Sequence, residues 1–158
     1  MQQCGFSFPN ALYIAAPNAL ASITSVCGYT PAQTDAVDIT DAANKIQAYL
    51  KQGGDYDAII VDDLSFLHEQ ELQKWEKKNR SNAFFKFQKA NEAMLNFRNI
   101  ARYAGLAVIV NCWQRHPSNS GGVFKKGGPQ LTGKLGESVP NMFDLVLKAG
   151  IEPTRKPW

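Results

Sequence analysis

At 158 residues, with 44% hydrophobic and 20% charged residues, the chain is long enough for one domain with a real core and too apolar to be disordered. A net charge of +3 is too mild to indicate nucleic-acid binding by itself, no apolar run approaches the ~18 residues of a membrane span, and no basic region followed by an apolar stretch marks a signal peptide. Three cysteines, Cys4, Cys27 and Cys112, are odd in number and lack metal-ligand spacing, so they read as reduced thiols in a cytoplasmic setting.

In chain order, Ala11–Ala15 reads as a first strand, and Pro17 and Asn18 end it and start a short helix to about Val26, stopped by Gly28. Residues 36–39 read as a second short strand. Thr40 or Asp41 is placed to cap a helix over about 42–52, which Gly53 and Gly54 end. Ala58–Asp62 follows, a β-branched run bounded by turn residues, and so a buried strand of the kind parallel sheets contain. Residues 66–104 are mostly helical, with the charged stretch 68–80 expected as a solvated face or a mobile excursion. Phe87, Ala90, Met94, Phe97, Ala101 and Ala104 recur at three- and four-residue spacing and form one core-facing stripe, ended by Gly105. Residues 106–112 read as a second buried-type strand, with Cys112 a small core residue. A long glycine-rich loop is expected over 114–133 and a final strand over 144–148. Strands alternating with helices predict an α/β fold with a mostly parallel sheet and right-handed crossovers.

Two features carry chemistry. The Ala58–Asp62 strand ends in an acidic pair, Asp62 and Asp63, at the end of a sheet where α/β folds bind ligands. A carboxylate there is suited to magnesium, which takes one or two carboxylates plus water and phosphate oxygens, the Walker B pattern. Equally, an aspartate at that place ends a strand as a turn former or caps a helix. The second feature is the loop with Arg115, His116, Lys125, Lys126 and Lys134, which contains no acid before Glu137. With Trp113 and Phe124 as aromatic faces, it has what single-stranded nucleic acid binding uses, or it is a solvated surface loop. Gly128 to Leu135 has most of the P-loop spacing but is read as a decoy: Leu135 stands where a hydroxyl is needed, and Pro129 removes an amide. His68 and His116 lie too far apart to suggest a metal site, and Ser65 and Ser138 lack an evident base.

The order of these motifs resembles a known family. An apolar strand ending Ile-Val-Asp-Asp-Leu, a long helical excursion, Phe-Arg-Asn-Ile-Ala-Arg-Tyr-Ala-Gly over 97–105 and the tail Gly-Gly-Pro-Gln-Leu-Thr-Gly-Lys-Leu-Gly-Glu-Ser-Val-Pro-Asn-Met-Phe-Asp-Leu-Val-Leu-Lys over 127–148 are together similar to bacteriophage RecA-like ATPases of single-strand annealing and recombination. The resemblance spans about 8–148 and rests most on the tail. It implies a three-layer RecA-like core, a mostly parallel sheet flanked by helices, as one domain over 1–158. It implies Asp62 as the Walker B aspartate that orients magnesium, Asp63 beside the attacking water or the metal shell, and Asn111 as the polar sensor facing the γ-phosphate. Arg115, Phe124, Lys125 and Lys126 would fall in the mobile loop facing DNA or a neighbouring subunit, and Lys134 would act as a finger across a subunit boundary. Mg2+ and ATP are the implied cofactors. Single-stranded DNA and further copies of the chain, or a larger phage assembly, are the implied partners, in the host cytoplasm or the virion.

The chain departs from the family before its first strand. Residues 1–8 hold Gly5 but no lysine and no Gly-Lys-Ser/Thr, so the chain reads as truncated before the P-loop strand and helix. Three functions therefore stay open: a RecA-like ATPase acting on single-stranded DNA with Walker B but no Walker A; a non-catalytic RecA-like module that scaffolds a phage particle or complex; and a single-stranded nucleic-acid-binding protein without ATP chemistry.

Overall fold

A computed structural model describes residues 10–19, 32–82, 84–120, 123–125, 127–132 and 135–147. The elements are β1 (Ala11–Ala15), β2 (Gln33–Asp35), α1 (Ile39–Lys51), β3 (Ala58–Asp62), α2 (Leu64–Lys78), α3 (Phe85–Arg102) and β4 (Ala107–Val110). Four short strands follow, β5 (Gln114–Arg115), β6 (Ser118–Ser120), β7 (Val123–Lys125) and β8 (Gly128–Pro129), then a short helix α4 (Leu135–Ser138) continued by a 3-10 turn, Val139–Met142.

The first four strands form one parallel sheet in the order β2-β1-β3-β4. The fold is α/β, a parallel sheet flanked by helices, compatible with a three-layer core. Successive residues of a strand face opposite sides, so each strand feeds two cores. On one face Leu12, Ile14, Ile59 and Val61 pack with Ile39, Ala42, Ala43 and Ile46 of α1, Leu64 and Leu67 of α2, and Ala93, Met94 and Phe97 of α3. On the other, Ala11, Ala58 and Ile60 cluster with Tyr13 and Ile109. Ile59, Ile60 and Val61 of β3, with β1 on one side and β4 on the other, are the most buried run in the sheet.

Several expectations are corrected. The second strand is β2 at Gln33–Asp35, not 36–39, because Asp38 caps α1: its Oδ1 accepts the Asp41 N–H at 2.8 Å. Thr40 and Asp41 therefore lie inside the helix. The stretch 68–80 is neither a mobile excursion nor wholly solvated. Residues 68–78 belong to α2, whose Leu64, Leu67, His68 and Glu71 recur on one buried face, and Asn79 and Arg80 follow its end. The stripe of α3 is present, with Ala90, Met94 and Phe97 buried. The helix ends at Arg102, before Gly105 adopts φ 72°.

β4 is half-exposed rather than buried, because among the described residues it has a neighbour only in β3. The expected loop over 114–133 is instead two nested antiparallel ribbons, β5 with β8 and β6 with β7. Residues 144–147 form no strand, since no described strand pairs with them, and Leu145, Val146 and Leu147 are exposed. The expected helix from Pro17 and Asn18 to Val26 begins in a turn over 17–19, and the rest of it lies outside the described residues, as do Cys4 and Cys27. Among the described residues, no helix is long and apolar enough to cross a membrane.

Candidate functional site

Because β1, β3 and β4 run parallel, their carboxyl ends share one edge of the sheet. Ala15 of β1 is level with Asp62 of β3, and the Ala16 N–H reaches the Asp62 carbonyl at 3.3 Å. Asn111 follows β4 directly. Its N–H donates to Val61 at 2.9 Å and its carbonyl accepts from Leu64 at 2.8 Å, so the backbone leaving β4 is tied to both the end of β3 and the start of α2. This holds the Asn111 side chain over the sheet edge, where Nδ2 donates to Asp62 Oδ1 at 3.3 Å. The pair is 49 residues apart in sequence and made adjacent by strand pairing alone.

Asp63 has a different part. Joined to Asp62 by a cis peptide, it is the N-cap of α2, with Oδ1 accepting the Phe66 N–H at 2.7 Å. Burial pushes its carboxyl above the usual range, the Phe66 amide pulls it down, and the negative charge of Asp62 adds to the rise. For this residue the helix-cap reading of the acidic pair holds, and one of its two oxygens is committed to the backbone.

Ser65, buried on the first turn of α2, completes the edge. Its hydroxyl accepts the Trp113 N–H at 3.0 Å and lies 3.1 Å from Cys112 Sγ. Burial pushes the Cys112 thiol up, so it is a packing residue and a poor nucleophile at neutral pH. Nothing in the spacing of Ser65 pointed to this latch, which depends on the chain returning beside α2.

Among the described residues no group of three or more His, Cys, Asp or Glu could cage a metal ion. Asp62 beside Asn111 fits the other mode, a magnesium ion on one carboxylate with water and phosphate oxygens completing its shell. Asn111 uses Asp62 Oδ1, and Oδ2 has no hydrogen-bond partner among the described residues.

The remaining sequence candidates are spread out. Arg115 sits half-buried in β5, and a Cβ on Gly136 would lie 3.5 Å from its guanidinium, so it lies against α4. The backbone of Phe124 and Lys125 is in β7, while Lys126 and Lys134 lie outside the described residues. Gly128 and Pro129 belong to a two-residue ribbon with β5 and not to the main sheet, so no central strand runs into the P-loop-like spacing. A shallow groove lined by Gln47, Leu50, Asn99, Ile100 and Tyr103 lies between the C-terminal halves of α1 and α3. Helices return antiparallel to parallel strands, so that groove is at the far edge from Asp62. No protein-family model matches the chain, and no curated protein matches it.

Proposed function

We propose that the chain is a RecA-like ATPase-fold module of phage type, acting with single-stranded DNA in recombination or annealing, in which Asp62 holds the magnesium of Mg-ATP. The observation that carries this reading is the contact between Asp62 and Asn111 across the carboxyl ends of adjacent parallel strands. Ligands of open α/β sheets bind at that edge. Asp62 supplies the carboxylate, Asn111 orients it and offers an amide toward the phosphates, and Asp63 fixes the start of α2. Magnesium, when bound, offsets the charge of the phosphate oxygens it touches. The 158 residues hold no Gly-Lys-Ser/Thr triplet, so this reading assigns the phosphate cradle to no residue described above. RecA-like subunits place nucleotide between copies, so a site shared across a homo-oligomer or a larger phage assembly belongs to the same proposal, in the host cytoplasm or the virion.

The test is a titration with a fluorescent ATP analogue, with and without magnesium. Saturable, magnesium-dependent binding is expected, with Asp62→Asn weakening it by about tenfold or more and Asn111→Ala by a similar factor, as when a partner that orients a metal ligand is lost. Equal binding by wild type and Asp62→Asn, or no binding by either, rules out this role for Asp62.

A further inference from the structure

α2 and α3 fold back on each other as a helical hairpin, and its closed end concentrates charge. Residues 74–89 contain six basic side chains, Lys74, Lys77, Lys78, Arg80, Lys86 and Lys89, against one acid, Glu76. That is a net +5 in a chain of +3, so the rest of the chain is net acidic. The same stretch holds four aromatics. Trp75 is the centre of the patch: Lys78 Nζ lies 4.7 Å from its ring, Lys74 5.6 Å and Lys89 5.9 Å, and Phe85 meets it edge-on at 5.8 Å. Phe84, at the turn into α3, is 81% exposed.

Part of this charge is balanced internally. Lys74 is paired with Asp38 and Glu71, Lys86 with Glu76 and Lys89 with Glu92. Lys77, Lys78 and Arg80 are exposed and make no ion pair among the described residues. Three exposed cations at the same end of the hairpin as the exposed Phe84 ring match the two needs of unpaired nucleic acid, phosphate neutralisation and base stacking. The aromatic cluster holds Lys78 in place, so less side-chain freedom is lost when a phosphate arrives.

We propose that the closed end of the α2–α3 hairpin is a binding surface for single-stranded nucleic acid, with Lys77, Lys78 and Arg80 on phosphates and Phe84 as a stacking platform. It shares its partner with the function proposed above and uses none of the Asp62 site, so it is tested without nucleotide or magnesium, and its failure leaves the magnesium role of Asp62 standing.

The experiment is fluorescence anisotropy of a labelled oligothymidylate with the full chain, at salt from about 50 to about 200 mM. Wild type should bind, more weakly as salt rises. Lys77→Ala/Lys78→Ala/Arg80→Ala should bind about tenfold or more weakly at low salt, and its slope of log affinity against log salt should be shallower by about 2, at ~0.7 per lost phosphate contact. Phe84→Ala should weaken binding about fivefold with the slope unchanged. Lys77→Gln/Lys78→Gln, which keeps an aliphatic stem over Trp75, should give an intermediate loss if the triple variant unfolds. No binding by wild type at low salt overturns the proposal. So does wild-type affinity in both lysine variants, whether or not Lys125→Ala/Lys126→Ala weakens binding. Oligonucleotide binding kept by these variants, with binding to anionic phospholipid vesicles lost, overturns it in favour of a membrane surface.

Discussion

Glu71 has no exposed surface, and three donors meet it there: the Thr40 N–H at 2.9 Å, the Trp75 indole N–H at 2.7 Å and the Lys74 ammonium at 2.9 Å. Removing the carboxylate leaves a backbone and an indole donor without their acceptor. Glu71→Ala should therefore destabilise the chain by about 3 kcal/mol or more, measured as a lowered urea midpoint. One turn earlier, His68 is 2% exposed. Burial disfavours its charged form and holds its pKa below the usual value, against the pull of Glu71 and Glu69. A histidine whose folded pKa is depressed contributes stability above its unfolded pKa of about 6.5, and that stability is lost as pH falls below it, because the unfolded chain then binds the extra proton. Wild type should lose stability as pH falls below about 6.5, and His68→Gln should show a flatter profile over the same range. Equal slopes in chemical denaturation would remove His68 as the cause.

At the scale of elements, α1 is set by its cap and its buried face. Asp38 accepts the Asp41 N–H and pairs with Lys74 at 2.9 Å. Burial works against its charge, but Lys74 and the Asp41 amide outweigh it, and the carboxyl lies below the usual range. A depressed carboxyl contributes stability above its unfolded pKa of about 3.9 and loses it as pH falls through the folded value. Asp38→Ala should cost about 1 kcal/mol at neutral pH and less below about pH 4. In β3 the controlling quantity is apolar volume. Ile59 is fully buried between β1 and β4 and against the helices, so Ile59→Ala should cost about 2–5 kcal/mol.

For the whole molecule, the sheet order decides where stability is concentrated. β1 and β3 are interior and β2 and β4 are edges among the described strands. Local opening is easiest where few buried contacts must break. Amide exchange should therefore be slowest over Ile59–Val61 and faster over β4, whose residues are all at least partly exposed. Uniform protection across the four strands would contradict this order. Charge is also uneven at this scale, basic at the closed end of the α2–α3 hairpin and net acidic elsewhere.

Wherever a local rule was strong enough, the residues alone determined the structure. Ala11–Ala15 and Ala58–Asp62 are strands at the predicted bounds because each is a short β-branched or apolar run that is both buried and paired. The stripe of α3 and the α/β class follow from period and alternation. Residues 144–147 have the same strand-like look and form none, because a strand also needs a partner, which composition does not supply. Likewise Asp62 and Asn111 were each legible as strand ends, whereas their contact is a product of β3–β4 register. Asp63 shows the limit most directly. Its neighbour faces the sheet edge while its own carboxylate turns back to cap α2, a division between two adjacent aspartates that only the path of the chain after β3 decides.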